Sequence, residues 1–406
     1  MKRCGILFTP DPFEEVTGLT VTLPGNIRQV VESALLSARM KGIAVGIARG
    51  DQPPEFLCAG TDAAGQPVTE QSLFPVASVT KLATALAVLR LVDAGQLTLD
   101  DPLARHIPEA IAAGDWNVTL RRLLSHTAGL PLDPAAEGAS YGPGLDWPIL
   151  ADACIQTPLQ RSPGTRVHYS NVGYGLLAVI IERETGYSFS SALERLVLDP
   201  LGIEAYLGVE PPRPQVVLAG VHGTHARTEL EPFNSRFWRS LAMPWAGLLT
   251  TPPGALALVR AFAGHPDGFL RQSTREEATR NQTGELGGGF VRPLVWKRCP
   301  WGLGVELRDE KVPHWAPPEA SATSFGHSGA SGCLTWYDPP TSTAWTILGT
   351  RTADSGWLVR RAPEVGAAIL SRPPALLSQG PRVGVEGHSQ EQDGASHHEP
   401  YGRGKG

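Results

Sequence analysis

The sequence predicts an α+β fold, an antiparallel sheet flanked by helices with a mostly helical insert between its first and last strands. Three observations carry this. Two short apolar runs near the start, Gly42–Ala48 and Phe56–Ala59, are separated by turn residues, as in a hairpin. A second such pair, Cys333–Tyr337 and Ala344–Gly349, stands near the end. Between them the clearest apolar segments, Ala83–Val92 and Tyr174–Glu184, have the length of helices.

Taken in order, Asn26–Met40 places Ile27, Val30, Val31, Ala34, Leu35 and Ala38 on one helical face ahead of the hairpin. Ala83–Val92 is apolar on nearly every side, the mark of a helix buried all round, and Gly95 is its stop. Leu120–Leu124 starts another helix. Pro131–Pro148 is rich in Pro, Gly and Ala and reads as a long surface loop, a kind that in compact proteins is often functional. Tyr174–Glu184 ends at Gly186. Residues 205–320 are punctuated by Pro and Gly and predict no clear element. Leu358–Leu370 closes the fold as a helix, and the polar, Gly/Ser/Gln/His-rich stretch 376–406 predicts a disordered tail. No internal repeat is present.

Composition excludes several classes. The 406 residues are 42% hydrophobic and 18% charged, enough apolar content for a large core. The net charge is −5 with no long run of one sign, which points away from nucleic acid and from anionic membrane surfaces. Cys4, Cys58, Cys154, Cys299 and Cys333 are odd in number and scattered, so neither a disulfide framework nor a zinc knuckle is indicated. The apolar stretch Gly5–Phe8 is too short for a secretory segment, and no run reaches the roughly 18 apolar residues of a membrane span. These features predict a cytoplasmic protein without a membrane partner. Oligomeric state is not legible.

Chemistry starts at Ser78-Val79-Thr80-Lys81. On a helix, residues three apart share a face about 5–6 Å apart at Cβ, so a hydroxyl and an amine become neighbours. Serine is a poor nucleophile until a base takes its proton. Lysine serves as that base only if its pKa falls, which burial in the apolar helix that follows favours. The chain has six lysines among 35 basic residues, yet places one here, where arginine could not release a proton. Tyr169-Ser170-Asn171 stands about ninety residues on, before another apolar helix. A phenol beside a cationic lysine has its pKa lowered and can relay a proton; Asn171 donates and accepts. His327-Ser328-Gly329 precedes an apolar strand, and a small residue with a glycine at a strand edge lets a substrate backbone approach closely.

These three motifs, in this order, resemble those of the serine β-lactamase, DD-peptidase and family VIII esterase superfamily. The stretches around them do too: Phe74–Lys81, Gly95–Glu109, Leu123–Pro131, Pro163–Glu182 and Phe325–Gly332, with the class C and esterase branch most similar. The resemblance spans Asn26 to Leu370. It implies a β-lactamase/transpeptidase-like fold over 26–375, after an N-terminal extension at 1–25. It also implies a Ser78 nucleophile, with Lys81 and Tyr169 sharing acid and base work and Asn171 orienting Lys81 or the substrate. The oxyanion hole would be the N–H groups of Ser78 and Ala330, with His327, Ser328, Gly329 and Ala330 lining the substrate. No metal and no cofactor is implied. The substrate would be a small-molecule ester, amide or lactam.

One departure bears on substrate. Members directed at β-lactams usually carry Lys-Thr-Gly at the third motif, where this chain has His327-Ser328-Gly329. An imidazole, mostly neutral at pH 7, replaces a fixed cation able to bind a substrate carboxylate, which favours esters or amides without one. Arg351 is the alternative source of that charge. A true β-lactamase or DD-peptidase is the second reading, and a non-catalytic penicillin-recognising module the third; the latter has no need of Ser78, Lys81 and Tyr169 together. Gly326-His327-Ser328-Gly329-Ala330 nearly spells a Gly-x-Ser-x-Gly elbow, but the only later histidines, His388, His397 and His398, fall in the tail. His222 and His225 lack the glutamate of a zincin pattern. His126 reads as a loop organiser. Trp147 and Trp301 are candidates for lining an acyl pocket.

Overall fold

The structure is a computed structural model that describes residues 25–135 and 139–371. The expected N-terminal extension, except Gly25, and the expected tail lie outside the described residues.

Helix α1 (Gly25–Ala38) buries Ile27, Val31, Ala34, Leu35 and Ala38, the face that its spacing predicts. It leads into the hairpin β1 (Gly42–Arg49) and β2 (Glu55–Gly60). Next come the buried helices α2 (Thr80–Asp93), α3 (Asn171–Thr185) and α4 (Pro252–Ala263). The chain then returns to the sheet through β3 (Glu306–Leu307), β4 (Phe325–Gly329), β5 (Cys333–Asp338) and β6 (Thr343–Gly349), and ends on α5 (Trp357–Leu370). The six strands lie in the order β2-β1-β6-β5-β4-β3, all antiparallel, so the first hairpin pairs directly with the last strand.

Both faces of this sheet are covered, which is why its strands read as continuous apolar runs rather than alternating ones. Ile43, Val45 and Ile47 of β1, with Trp336, Trp345 and Ile347, face α1 and α5. Ala44, Ala48, Cys333 and Leu348 face the larger core of α2, α3 and α4. In α2 every residue from Leu82 to Leu89 is buried. A helix buried all round holds its backbone rigid, and the Ser78-Val79-Thr80-Lys81 motif sits at its start.

Helix α4 was not expected, although its signals are present. Thr251 caps it by accepting from the N–H of Gly254, prolines occupy its first turn, and Gly264 (φ +99) ends it. Within 205–320 these signals are diluted by other prolines and glycines. No helix among the described residues is long and apolar enough to cross a membrane.

Candidate active site

Ser78 sits in a single 3₁₀ turn, Ala77–Val79, just ahead of α2. Ala77 is in the left-handed region (φ +45), a conformation that costs a non-glycine residue about 1–2 kcal/mol. The turn is held from outside: Val76 N–H donates to Leu248 O at 3.0 Å, and Leu248 N–H donates to Thr80 Oγ1 at 3.1 Å. Ala77 and Val79 are buried while Ser78 stays partly exposed, so the turn turns one hydroxyl outward.

Lys81 lies on the first turn of α2 and is wholly buried. Its Nζ stands 3.3 Å from Ser78 Oγ, 2.7 Å from Asn171 Oδ1 and 3.1 Å from Trp245 O. Burial holds its pKa well below the usual lysine value, against the opposing pull of Asp133. The lowered pKa and its cause, burial, are those expected from the apolar helix that follows Ser78.

The ring of Tyr169 lies between His126 and Phe290, at 4.4 and 4.3 Å between centroids, with Lys81 Nζ 4.7 Å from its own centroid. Its hydroxyl is buried without a well-formed hydrogen bond. Burial pushes its pKa well above that of an ordinary phenol, and the nearby Ser78 hydroxyl offsets this only in part. This corrects the expected lowering: with Lys81 desolvated toward its neutral form there is little positive charge to favour a phenolate. Tyr169 is therefore a protonated phenol in this resting site.

Asn171 opens α3, whose N-cap Ser170 accepts from Gly173 N–H. Ser170 N–H donates to His126 Nδ1 at 3.1 Å, and His168 N–H donates to His126 O at 2.8 Å. His126 thus does organise the loop, bringing the second motif beside the first.

His327, Ser328 and Gly329 occupy β4, where β3 pairs only with Phe325 and Gly326 and leaves the outer edge open. On the face of the strand a Cβ on Gly329 would lie 2.4 Å from Val76 O, so this glycine lets β4 lie against the turn that carries Ser78. Ala330 follows at once. It is exposed, and its N–H donates to no acceptor among the described residues, while its carbonyl accepts from Ala353 N–H. Ser328 is 8% exposed.

His327 is fully buried. Its ring packs beside Trp301 and Tyr169, its Nδ1 is 2.7 Å from Ser328 O, and Nε2 has no partner. Burial, aided by Lys81, lowers its pKa to about 3. Its imidazole forms the wall behind Tyr169 and is neutral throughout the working range. Trp301 belongs to the same wall, and Trp147 packs on Phe189 and Trp245. Arg351 donates to Arg39 O at 3.4 Å. The His225 ring lies tilted against Tyr141 at 5.1 Å between centroids, and His222 lies 3.9 Å from Asp354.

Three features escaped the sequence reading. Asp133 accepts from Asn171 Nδ2 at 2.6 Å; its signal was its place in the long Pro131–Pro148 loop. Trp245 O lies in the segment where no element was predicted. A buried ion pair, Lys311 Nζ to Glu306 Oε1 at 2.8 Å, underlies the aromatic wall, with Trp315 Nε1 donating to Glu306 Oε2 at 3.0 Å. Burial raises the Glu306 carboxyl, but Lys311 and His314, the latter with Nε2 3.4 Å from Glu306 Oε1, hold its pKa down at about 2.

Fold and site together define a serine hydrolase. A profile of the Beta-lactamase family matches residues 26–367, and the chain belongs to that family. Esterase EstB of Burkholderia gladioli is 30% identical over 374 residues, covering 82% of this chain and 92% of that protein. Penicillin-binding protein 4 of Amycolatopsis lactamdurans is 31% identical over 279 residues, covering 66% of this chain and 68% of that protein. Among solved structures, a β-lactamase from Mycobacterium bovis matches with a TM-score of 0.58 at 26% identity, over 84% of this chain and 98% of that one.

Proposed function

We propose that the chain hydrolyses small carboxylic esters or amides through an acyl-enzyme on Ser78, with residues 26–375 as the catalytic unit. One observation carries the reading: a fully buried lysine amine, its pKa driven down, 3.3 Å from a partly exposed serine hydroxyl. In the proposed cycle Lys81 takes the Ser78 proton as Oγ attacks the substrate carbonyl. The N–H groups of Ser78 and Ala330 hold the oxyanion, a donor pair of which each member typically contributes about 10²–10³ in rate. Tyr169 gives its phenolic proton to the leaving alcohol or amine and recovers one from the Lys81 ammonium. Water then attacks the acyl-enzyme by the same steps in reverse roles.

Esters are favoured over β-lactams because the third motif offers no cation for a carboxylate. His327 is neutral and buried, and Arg351 is turned to Arg39 O. The similarity to esterase EstB over 82% of the chain supports the same preference. A fluorophosphonate probe should label the wild type at Ser78. At pH 7–8, kcat/KM should be higher for short-chain p-nitrophenyl esters than for a chromogenic cephalosporin. A preference for the cephalosporin would replace this reading with that of a β-lactamase, and no labelling would leave a binding module.

A further inference from the structure

The partners of Lys81 divide in a way that the reaction needs. A neutral amine has two hydrogens and one lone pair. Two acceptors that cannot donate, Asn171 Oδ1 at 2.7 Å and Trp245 O at 3.1 Å, take the two hydrogens. The lone pair is then left for the third neighbour, Ser78 Oγ at 3.3 Å, and that direction is the one a general base must present.

The backbone carbonyl of Trp245 has one possible role, but the side-chain amide of Asn171 has two. Turned over, it would present its NH₂ to Lys81, donate to the lone pair, and block the base. Its orientation must therefore be fixed from its far end. Asp133 sits there: Asn171 Nδ2 donates to Asp133 Oδ1 at 2.6 Å. A carboxylate only accepts, so it can face only the NH₂ end and forces the carbonyl end toward Lys81. Among the described residues no lysine, arginine or histidine forms an ion pair with Asp133, and the nearby backbone bond, Asn171 N–H to Leu132 O at 2.6 Å, anchors the same loop to the start of α3.

We propose that Asp133 is a positioning residue for catalysis: by accepting from Asn171 it locks the amide so that the Lys81 lone pair points at Ser78. This rests on the reading of Ser78 and Lys81 as nucleophile and base. Asp133 bonds to Asn171 and not to Lys81 or Ser78, so it acts through the amide.

The test uses the full-length chain and a small fluorophosphonate, whose rate of reaction with Ser78 reports nucleophile activation without an acyl pocket. Asp133→Asn removes the acceptor-only end and lets Asn171 turn. It should slow labelling about tenfold or more, a fraction of what a general base contributes, with the melting temperature near that of wild type. In an Asn171→Ala background Asp133→Asn should add no more than about a twofold further loss, because Asp133 acts only through Asn171. A purely structural role for Asp133 would cost the same factor in both backgrounds. Wild-type labelling by Asp133→Asn, or an undiminished further loss in the Asn171→Ala background, overturns the proposal. Failure of the wild type to label at all would instead overturn the functional reading beneath it.

Discussion

Gly329 lies so close to Val76 that a single added carbon at Gly329 would stand 2.4 Å from the Val76 carbonyl oxygen. The third motif and the nucleophile turn, more than 250 residues apart in sequence, are thus in backbone contact. Ala330 on one side and Ser78 on the other take their places from that contact. Gly329→Ala must push them apart, since the obstructing atom is backbone and cannot swing aside. Overpacking of this kind costs about 1–3 kcal/mol, and the N–H groups proposed to hold the oxyanion would no longer converge. We expect a loss of activity of about 10² or more with a modest drop in urea midpoint. An alanine variant with wild-type kcat/KM would show that the contact does not set the site.

Ser78→Ala should remove at least ~10³ of the activity while leaving the fold intact, because Ser78 contributes little to the core. Lys81→Arg should be nearly as damaging as Lys81→Ala. The guanidinium keeps a charge but gives up no proton, and it must be accommodated where an amine with three close partners is wholly enclosed. Steady-state kinetics on a p-nitrophenyl ester decides both. Substantial turnover by the arginine variant would assign Lys81 to charge alone.

Acid should destabilise the protein earlier than carboxylates alone would cause. His126 and His327 are buried with pKa values pushed down, His327 to about 3. In the unfolded chain each takes a proton near pH 6.5 that the folded state refuses. The unfolded state therefore binds more protons below that pH, and stability is complete above it and declines as pH falls toward the folded value. At pH 5 His327 withdraws about 2 kcal/mol, and His126 acts in the same direction. Melting temperature should fall between pH 7.5 and pH 5, and His327→Gln should make that fall shallower. An unchanged slope would mean that His327 titrates normally.

The Glu306–Lys311 pair tests the wall behind Tyr169. Lys311→Met leaves Glu306 charged, buried and deprived of its main partner, a change that typically costs about 3–5 kcal/mol. Glu306→Gln/Lys311→Met removes both charges and should be the more stable of the two variants in urea unfolding. The reverse order would show that Glu306 has support beyond Lys311, His314 and Trp315.

Much of this protein is determined locally. The hairpin at Gly42–Ala48 and Phe56–Ala59, the buried helix after Ser78, and the helix closed by Gly186 depend on short-range periodicity and on single residues with strong backbone preferences, so they are legible in the chain itself. Ser78 and Lys81 are legible for the same reason, since three residues on a helix fix their separation. What lies beyond is decided by the tertiary structure, because it depends on groups remote in sequence. Trp245 O reaches Lys81 across 164 positions, and Asp133 reaches Asn171 across 38. The direction of the Tyr169 pKa could not be had from its motif, since it follows from how completely His126, Phe290 and Trp301 exclude water. His327 reads in sequence as a group offered to substrate. Packing places it inside, where desolvation keeps its imidazole uncharged.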